Sequence, residues 1–154
     1  MQANQALRGC VLDLPQALAD ASSLARRQGL EPRLEAVAGD FFEAVPPADL
    51  YLLKHILHDW DDAACIRILR NCAAGLAPGG RVAIVELDLR EGATQADTPA
   101  FAAMMDLTML VLTPGRERTL PEYEGLLVQA GLRIDRVARF SPATSMLLIE
   151  AVSA

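Results

Sequence analysis

Short apolar runs bounded by glycine, proline or acid alternate with longer stretches in which apolar residues recur every three or four positions. That alternation predicts strands interleaved with helices. A first strand over 9–12 ends at Asp13, and Pro15 opens a helix over 16–28 that Gly29 stops. A second strand over 34–38 runs into Gly39-Asp40-Phe41-Phe42. After Pro46-Pro47 a third strand covers 50–56. Asp61 and Asp62 begin a helix with the apolar stripe Cys65, Ile66, Ile68, Leu69, Cys72, Ala73 and Leu76, and Pro78-Gly79-Gly80 ends it. A fourth strand covers 81–87, a polar loop 92–98, a helix 99–112, the turn Thr113-Pro114-Gly115 and a helix 121–130. Two closing strands, 132–140 and 144–151, form an antiparallel pair at one edge. Strands separated by helices imply an α/β fold with right-handed crossovers, its sheet mostly parallel with one reversed strand.

Composition narrows the partners. The chain has 154 residues and a formal net charge of −6, with no basic cluster to neutralise phosphates, so nucleic acid and anionic membrane surfaces are excluded and a small molecule is expected. No apolar run reaches the ~18 residues a membrane span needs and no signal region is legible, so a cytoplasmic protein is expected. Cys10, Cys65 and Cys72 read as buried free thiols, since Cys65 and Cys72, seven apart on a helix, would stand roughly 10 Å apart.

Three places carry candidate chemistry. Asp13, where the first strand ends, is placed either to accept two ribose hydroxyls or to cap a helix before Pro15. Gly39-Asp40-Phe41 repeats the device one strand on, as a carboxylate for an exocyclic amine beside an aromatic ring, or as a plain loop. His58 lies beyond the carboxyl end of the third strand, where open α/β sheets place their chemistry. Imidazole there can act as a base near neutral pH. Glu86 interrupts an apolar strand and needs a partner, for which the Nδ1–H of His58 is the natural choice. Asp59 adjoins the histidine and Glu117 can converge on it. His55, His58, Asp59, Asp61 and Asp62 also have the composition of a metal site. The two histidines are expected to diverge, however, and no metal is assigned. No phosphate-loop glycine pattern and no nucleophile elbow occurs.

Taken in order, Val11-Leu12-Asp13-Leu14-Pro15, Gly39-Asp40-Phe41-Phe42, Leu53-Lys54-His55-Ile56-Leu57-His58-Asp59-Trp60-Asp61-Asp62, Ile68-Leu69-Arg70-Asn71-Cys72, Pro78-Gly79-Gly80 and Gly115-Arg116-Glu117-Arg118-Thr119 resemble the S-adenosylmethionine-dependent O-methyltransferases of the plant caffeate and bacterial hydroxyneurosporene type. The resemblance implies a class I methyltransferase Rossmann-like sheet, mostly parallel with an antiparallel edge strand. It implies methyl transfer to a hydroxyl of a small aromatic or polyketide-like molecule in secondary metabolism. Asp13, Leu14, Asp40, Phe41 and Lys54 would hold S-adenosylmethionine. His58 would be the general base, flanked by Glu86 and Glu117, with Asp59, Met105, Met109 and Thr113 at the acceptor. Members of that family carry a first strand and a glycine-rich loop ahead of the position of Asp13. Here eight residues precede Gly9, without that pattern. The expectation is therefore one truncated catalytic domain over 1–154, lacking the first central strand. The alternative is a catalytically incompetent fragment or half of a split enzyme that needs a partner chain. A homodimer or a complementing N-terminal chain is the expected protein partner.

Overall fold

The computed structural model describes residues 1–89, 100–140 and 146–154, apart from the side chains of 100, 101 and 103. The chain divides into two compact units, Met1–Pro46 and Pro47–Ala154. The polar loop expected over 92–98 and Thr144 lie outside the described residues.

In the first unit, β1 (Gly9–Asp13) and β2 (Leu34–Ala38) form a parallel pair in which Asp13 stands opposite Ala38. The amide of Gly39 donates to the carbonyl of Asp13 at 3.0 Å, so the chain leaves both strands at one end. A Cβ on Gly39 would stand 2.8 Å from Cδ1 of Leu12, the end of a side chain that can shift to admit it. Helix α1 is shorter than the pattern predicts, Ala21–Arg27 rather than 16–28. Pro15 leads into turns instead of a first helical turn. Asp13 is therefore no helix cap, and its Oδ1 accepts from the amide of Leu14 at 2.8 Å. Cys10 is exposed, against the expectation of burial, because β1 has little core to face.

The second unit is built on a four-stranded sheet in the order β3-β4-β6-β5, from β3 (Ala48–Lys54), β4 (Leu76–Leu87), β5 (Leu132–Arg139) and β6 (Met146–Ser153). β3 and β4 run parallel, and β6 is antiparallel to both its neighbours. The antiparallel pair does lie at the edge, but the reversed strand is the inner member, between β4 and β5. β4 begins earlier than position 81. Ala48 pairs with Leu76 and Leu50 with Arg81, so Pro78-Gly79-Gly80 forms a bulge inside the strand instead of the helix stop that proline and glycine suggest. Gly79 has φ 78°, and a Cβ on Gly80 would stand 2.9 Å from the carbonyl oxygens of Ala77 and Asp49.

Helices α2 (Asp62–Gly75), α3 (Ala100–Leu112) and α4 (Leu120–Gln129) complete this unit. Asp61 caps α2 through the amide of Ala64 at 2.8 Å, and α4 begins with a capping box of Thr119 and Glu122. Cys65, Ile68, Leu69 and Cys72 of the expected α2 stripe are buried, with Ile84, Leu127, Leu132, Leu147 and Ile149. No helix among the described residues is long and apolar enough to cross a membrane.

Candidate active site

β3 stops two residues earlier than its apolar run because His55 adopts φ 53°, in the left-handed region. The chain then turns into a single 3-10 turn, Leu57–Asp59, that carries His58. Its amide end is held by a buried acid: Oε1 of Glu86 accepts from the amides of Ile56 at 3.0 Å and Leu57 at 2.8 Å. The expected partner of Glu86 was the imidazole. The main chain takes that place, and Nδ1 of His58 stands 3.8 Å from Oε2 of Glu86.

The imidazole instead pairs with Glu117, whose Oε1 lies 2.9 Å from Nδ1 of His58. Glu117 sits in the segment after α3, which runs beside the end of β4. The amide of Leu89 donates to the carbonyl of Arg118, and the amide of Glu117 donates to Oδ1 of Asp106 at 3.1 Å. Nε2 of His58 lies 3.6 Å from Oδ1 of Asp59, whose side chain is partly exposed. His58, Glu86 and Glu117 are all buried. The bond to Glu117 raises the pKa of His58 above the ordinary imidazole value, and burial opposes the rise. Burial pushes the Glu86 carboxyl up to about 7, while His58 and the two amides pull the other way. Such a cluster can hold one proton on Nδ1, fix the tautomer, and leave Nε2 as the acceptor.

His55 and His58 do not diverge, as the strand-to-loop junction suggested. Their ring centroids are 5.2 Å apart, with the backbone of His55 in the left-handed region. Among the described residues, His55, His58 and Glu86 bring ligand-type atoms within 4.8 Å of one another. The chemistry of that set would suit a divalent transition ion, although Nδ1 of His58 is the atom closest to Glu117.

The remaining expected site residues fall into two groups. Lys54 ends β3 opposite Val85. Met105 is half-buried and Met109 buried on α3. Thr113 donates through Oγ1 to the carbonyl of Met109 at 3.0 Å and accepts from the amide of Gly115 at 3.1 Å. In the first unit, Oδ1 of Asp40 accepts from the amide of Phe42 at 2.8 Å, and the rings of Phe41 and Phe42 are 4.9 Å apart. Asp13, Leu14, Asp40 and Phe41 therefore gather where the chain leaves β1 and β2.

Sequence reasoning passed over Arg118, which is wholly buried and bonds to the carbonyls of Leu57 and Trp60. It also passed over Tyr123, buried with an unpartnered hydroxyl, as are Oε2 of Glu86 and Oε2 of Glu117. Its place directly after the candidate acid Glu117 was the available signal for the first. For Tyr123, on the inner face of α4, there was none.

The profile of a family described as an O-methyltransferase domain matches residues 2–133. The mitomycin biosynthesis 6-O-methyltransferase of Streptomyces lavendulae is 41% identical over 132 residues, covering 84% of this chain and 36% of that protein. The acetylserotonin O-methyltransferase of Mus musculus is 45% identical over 116 residues, 75% of this chain and 29% of that one. Among solved structures, an O-methyltransferase from neocarzinostatin biosynthesis, in complex with S-adenosylmethionine and 2-hydroxy-5-methyl naphthoic acid, superposes with TM-score 0.85 at 32% identity. It covers 99% of this chain and 43% of that one. The chain thus spans less than half the length of these relatives.

Proposed function

The chain belongs to the O-methyltransferase domain family of S-adenosylmethionine-dependent enzymes, and from that premise we propose that it moves a methyl group from S-adenosylmethionine to a hydroxyl of a small aromatic or polyketide-like molecule, with His58 as general base. The observation that carries this reading is the 2.9 Å approach of Nδ1 of His58 to the buried Oε1 of Glu117. With Nδ1–H donated to Glu117, Nε2 is the nitrogen left to take the acceptor's proton. A phenol near pKa 10 and an imidazole near 6.5 differ by roughly 5 kcal/mol in proton affinity. The upward shift that Glu117 gives His58 narrows that gap, so proton removal by Nε2 overlaps with attack by the oxygen.

The donor set at the ends of β1 and β2 fits the nucleoside. Asp13 offers a carboxylate of which one oxygen is taken by the amide of Leu14, and the other suits ribose hydroxyls. Asp40 and Phe41 would take the adenine, Leu14 would supply apolar cover and Lys54 would lie along the cofactor. Asp59, Met105, Met109 and Thr113 would seat the acceptor, and Glu86 would keep the turn of His58 in place through the amides of Ile56 and Leu57. When bound, S-adenosylmethionine supplies an electrophilic methyl on a sulfonium. No metal is then required, and turnover should survive a chelator. The free thiols suit a cytoplasmic setting.

Transfer of labelled methyl from S-adenosylmethionine to a panel of phenols and naphthols tests the reading. Methylated product is expected, and its absence across the panel despite bound cofactor would overturn it. These 154 residues alone should bind S-adenosylmethionine weakly in calorimetry, and a complementing N-terminal chain or a second copy should strengthen binding. Tight binding by the chain alone would contradict that part.

A further inference from the structure

Arg118 is wholly buried, and each of its five guanidinium hydrogens has an acceptor. Nη1 donates to the carbonyls of Leu57 at 2.9 Å and Arg116 at 3.3 Å. Nη2 donates to the carbonyl of Trp60 at 2.7 Å and to Oδ1 of Asp62 at 2.8 Å, and Nε donates to the same Oδ1 at 3.0 Å. Leu57 and Trp60 bracket His58 and Asp59. The turn is thus held at its amides by the carboxylate of Glu86 and at its carbonyls by the guanidinium of Arg118. These are the charge signs that the dipole of a helical turn favours at its two ends.

The same segment also meets the turn backbone to backbone. A Cβ on Gly115 would stand 2.0 Å from the carbonyl oxygen of His58 and 2.4 Å from the amide nitrogen of Trp60, so no larger residue fits unless the turn moves. Gly115, Glu117 and Arg118 therefore reach the turn at the His58 carbonyl, at the imidazole, and at the flanking carbonyls. A buried guanidinium stripped of these partners would be costly, which makes the bonds obligatory.

We propose that Arg118 is a positioning residue for methyl transfer: by fixing the carbonyls of Leu57 and Trp60 it sets the height and rotation of the His58 ring, so that Nδ1 stays on Glu117 and Nε2 faces the acceptor hydroxyl. This rests on His58 being the base. A buried arginine that serves stability alone would lower the melting temperature when replaced, yet leave the imidazole's hydrogen bond as it is wherever the fold survives.

Nitrogen-15 and proton resonances of the two histidine rings distinguish these cases, with His55 as internal control. In the unaltered chain His58 should show a protected Nδ1–H signal. Its absence would remove the base reading and this proposal together. In Arg118→Met that signal should be lost while circular dichroism still reports the native fold; an unchanged signal in a folded variant overturns the role of Arg118 and spares His58. Asp62→Asn guards against a variant that does not fold, because the Asp62 side chain is half-exposed yet accepts two of the five bonds. There the Nδ1–H of His58 should exchange with solvent about tenfold faster, the effect of replacing the charged acceptor of those two bonds by a neutral one. An unchanged exchange rate counts against the proposal.

Discussion

Within Met1–Pro46 Ala25 is the one buried residue among those described, whereas Pro47–Ala154 contains all the other described buried residues, including the charged group around His58. The proposed site residues of the two regions thus lie under different physical conditions. Asp13 ends β1 and Asp40 follows β2, a short parallel pair with little core, where Asp13 is exposed and Asp40 half-buried. His58, Glu86, Glu117 and Arg118 sit where water is scarce and each charge is felt strongly by the next. Gripping a ligand needs available groups, while moving a proton at one nitrogen needs fixed ones.

The largest expected contrast is in local stability. Amides of β4 over Val82–Leu87 should exchange with deuterium roughly a thousandfold more slowly than those of β1, about 4 kcal/mol of local opening. Equal protection in both would break the comparison. Core truncation should follow: Leu127→Ala, at a fully buried position, should cost about 2–5 kcal/mol in urea denaturation. Val11→Ala, at a position 40% exposed, should cost under about 1 kcal/mol. Thiol alkylation should separate the regions again, with exposed Cys10 modified first. Burial pushes Cys65 up to about 11 and Cys72 up to about 12, so both should react only as the second unit unfolds.

The smallest effect is the pH profile. Glu117, Glu86, Asp59 and His55 all face His58, and the Glu117 bond dominates in raising its pKa. A base must be neutral to work, so kcat/KM should fall as pH drops through a midpoint above the ordinary imidazole value. Glu117→Gln should bring that midpoint down. A midpoint that does not move would detach Glu117 from the base.

The strands and helices of the second unit were legible because burial imposes periodicity, as in the α2 stripe. In the first unit, where burial is slight, Pro15 read as a helix start and the chain makes turns. Pro78-Gly79-Gly80 read as a stop, since residues alone do not distinguish a terminating turn from a bulge inside a strand. His58, Glu86 and Glu117 were legible as acids and imidazole near strand ends. Glu117 does meet the imidazole, as the resemblance implies, but Glu86 was also assigned the imidazole and holds main-chain amides instead. Arg118 escaped for a related reason: three of its five bonds go to carbonyls, which every residue has.

Methyl transfer by His58→Gln, measured beside calorimetry of S-adenosylmethionine binding in the protein that carries these residues, bears most directly on the account. Turnover should fall by about 10²–10⁴-fold, the usual contribution of a positioned base, with cofactor affinity changed only a few-fold. Near-normal turnover in that variant would contradict the assignment of the proton to His58.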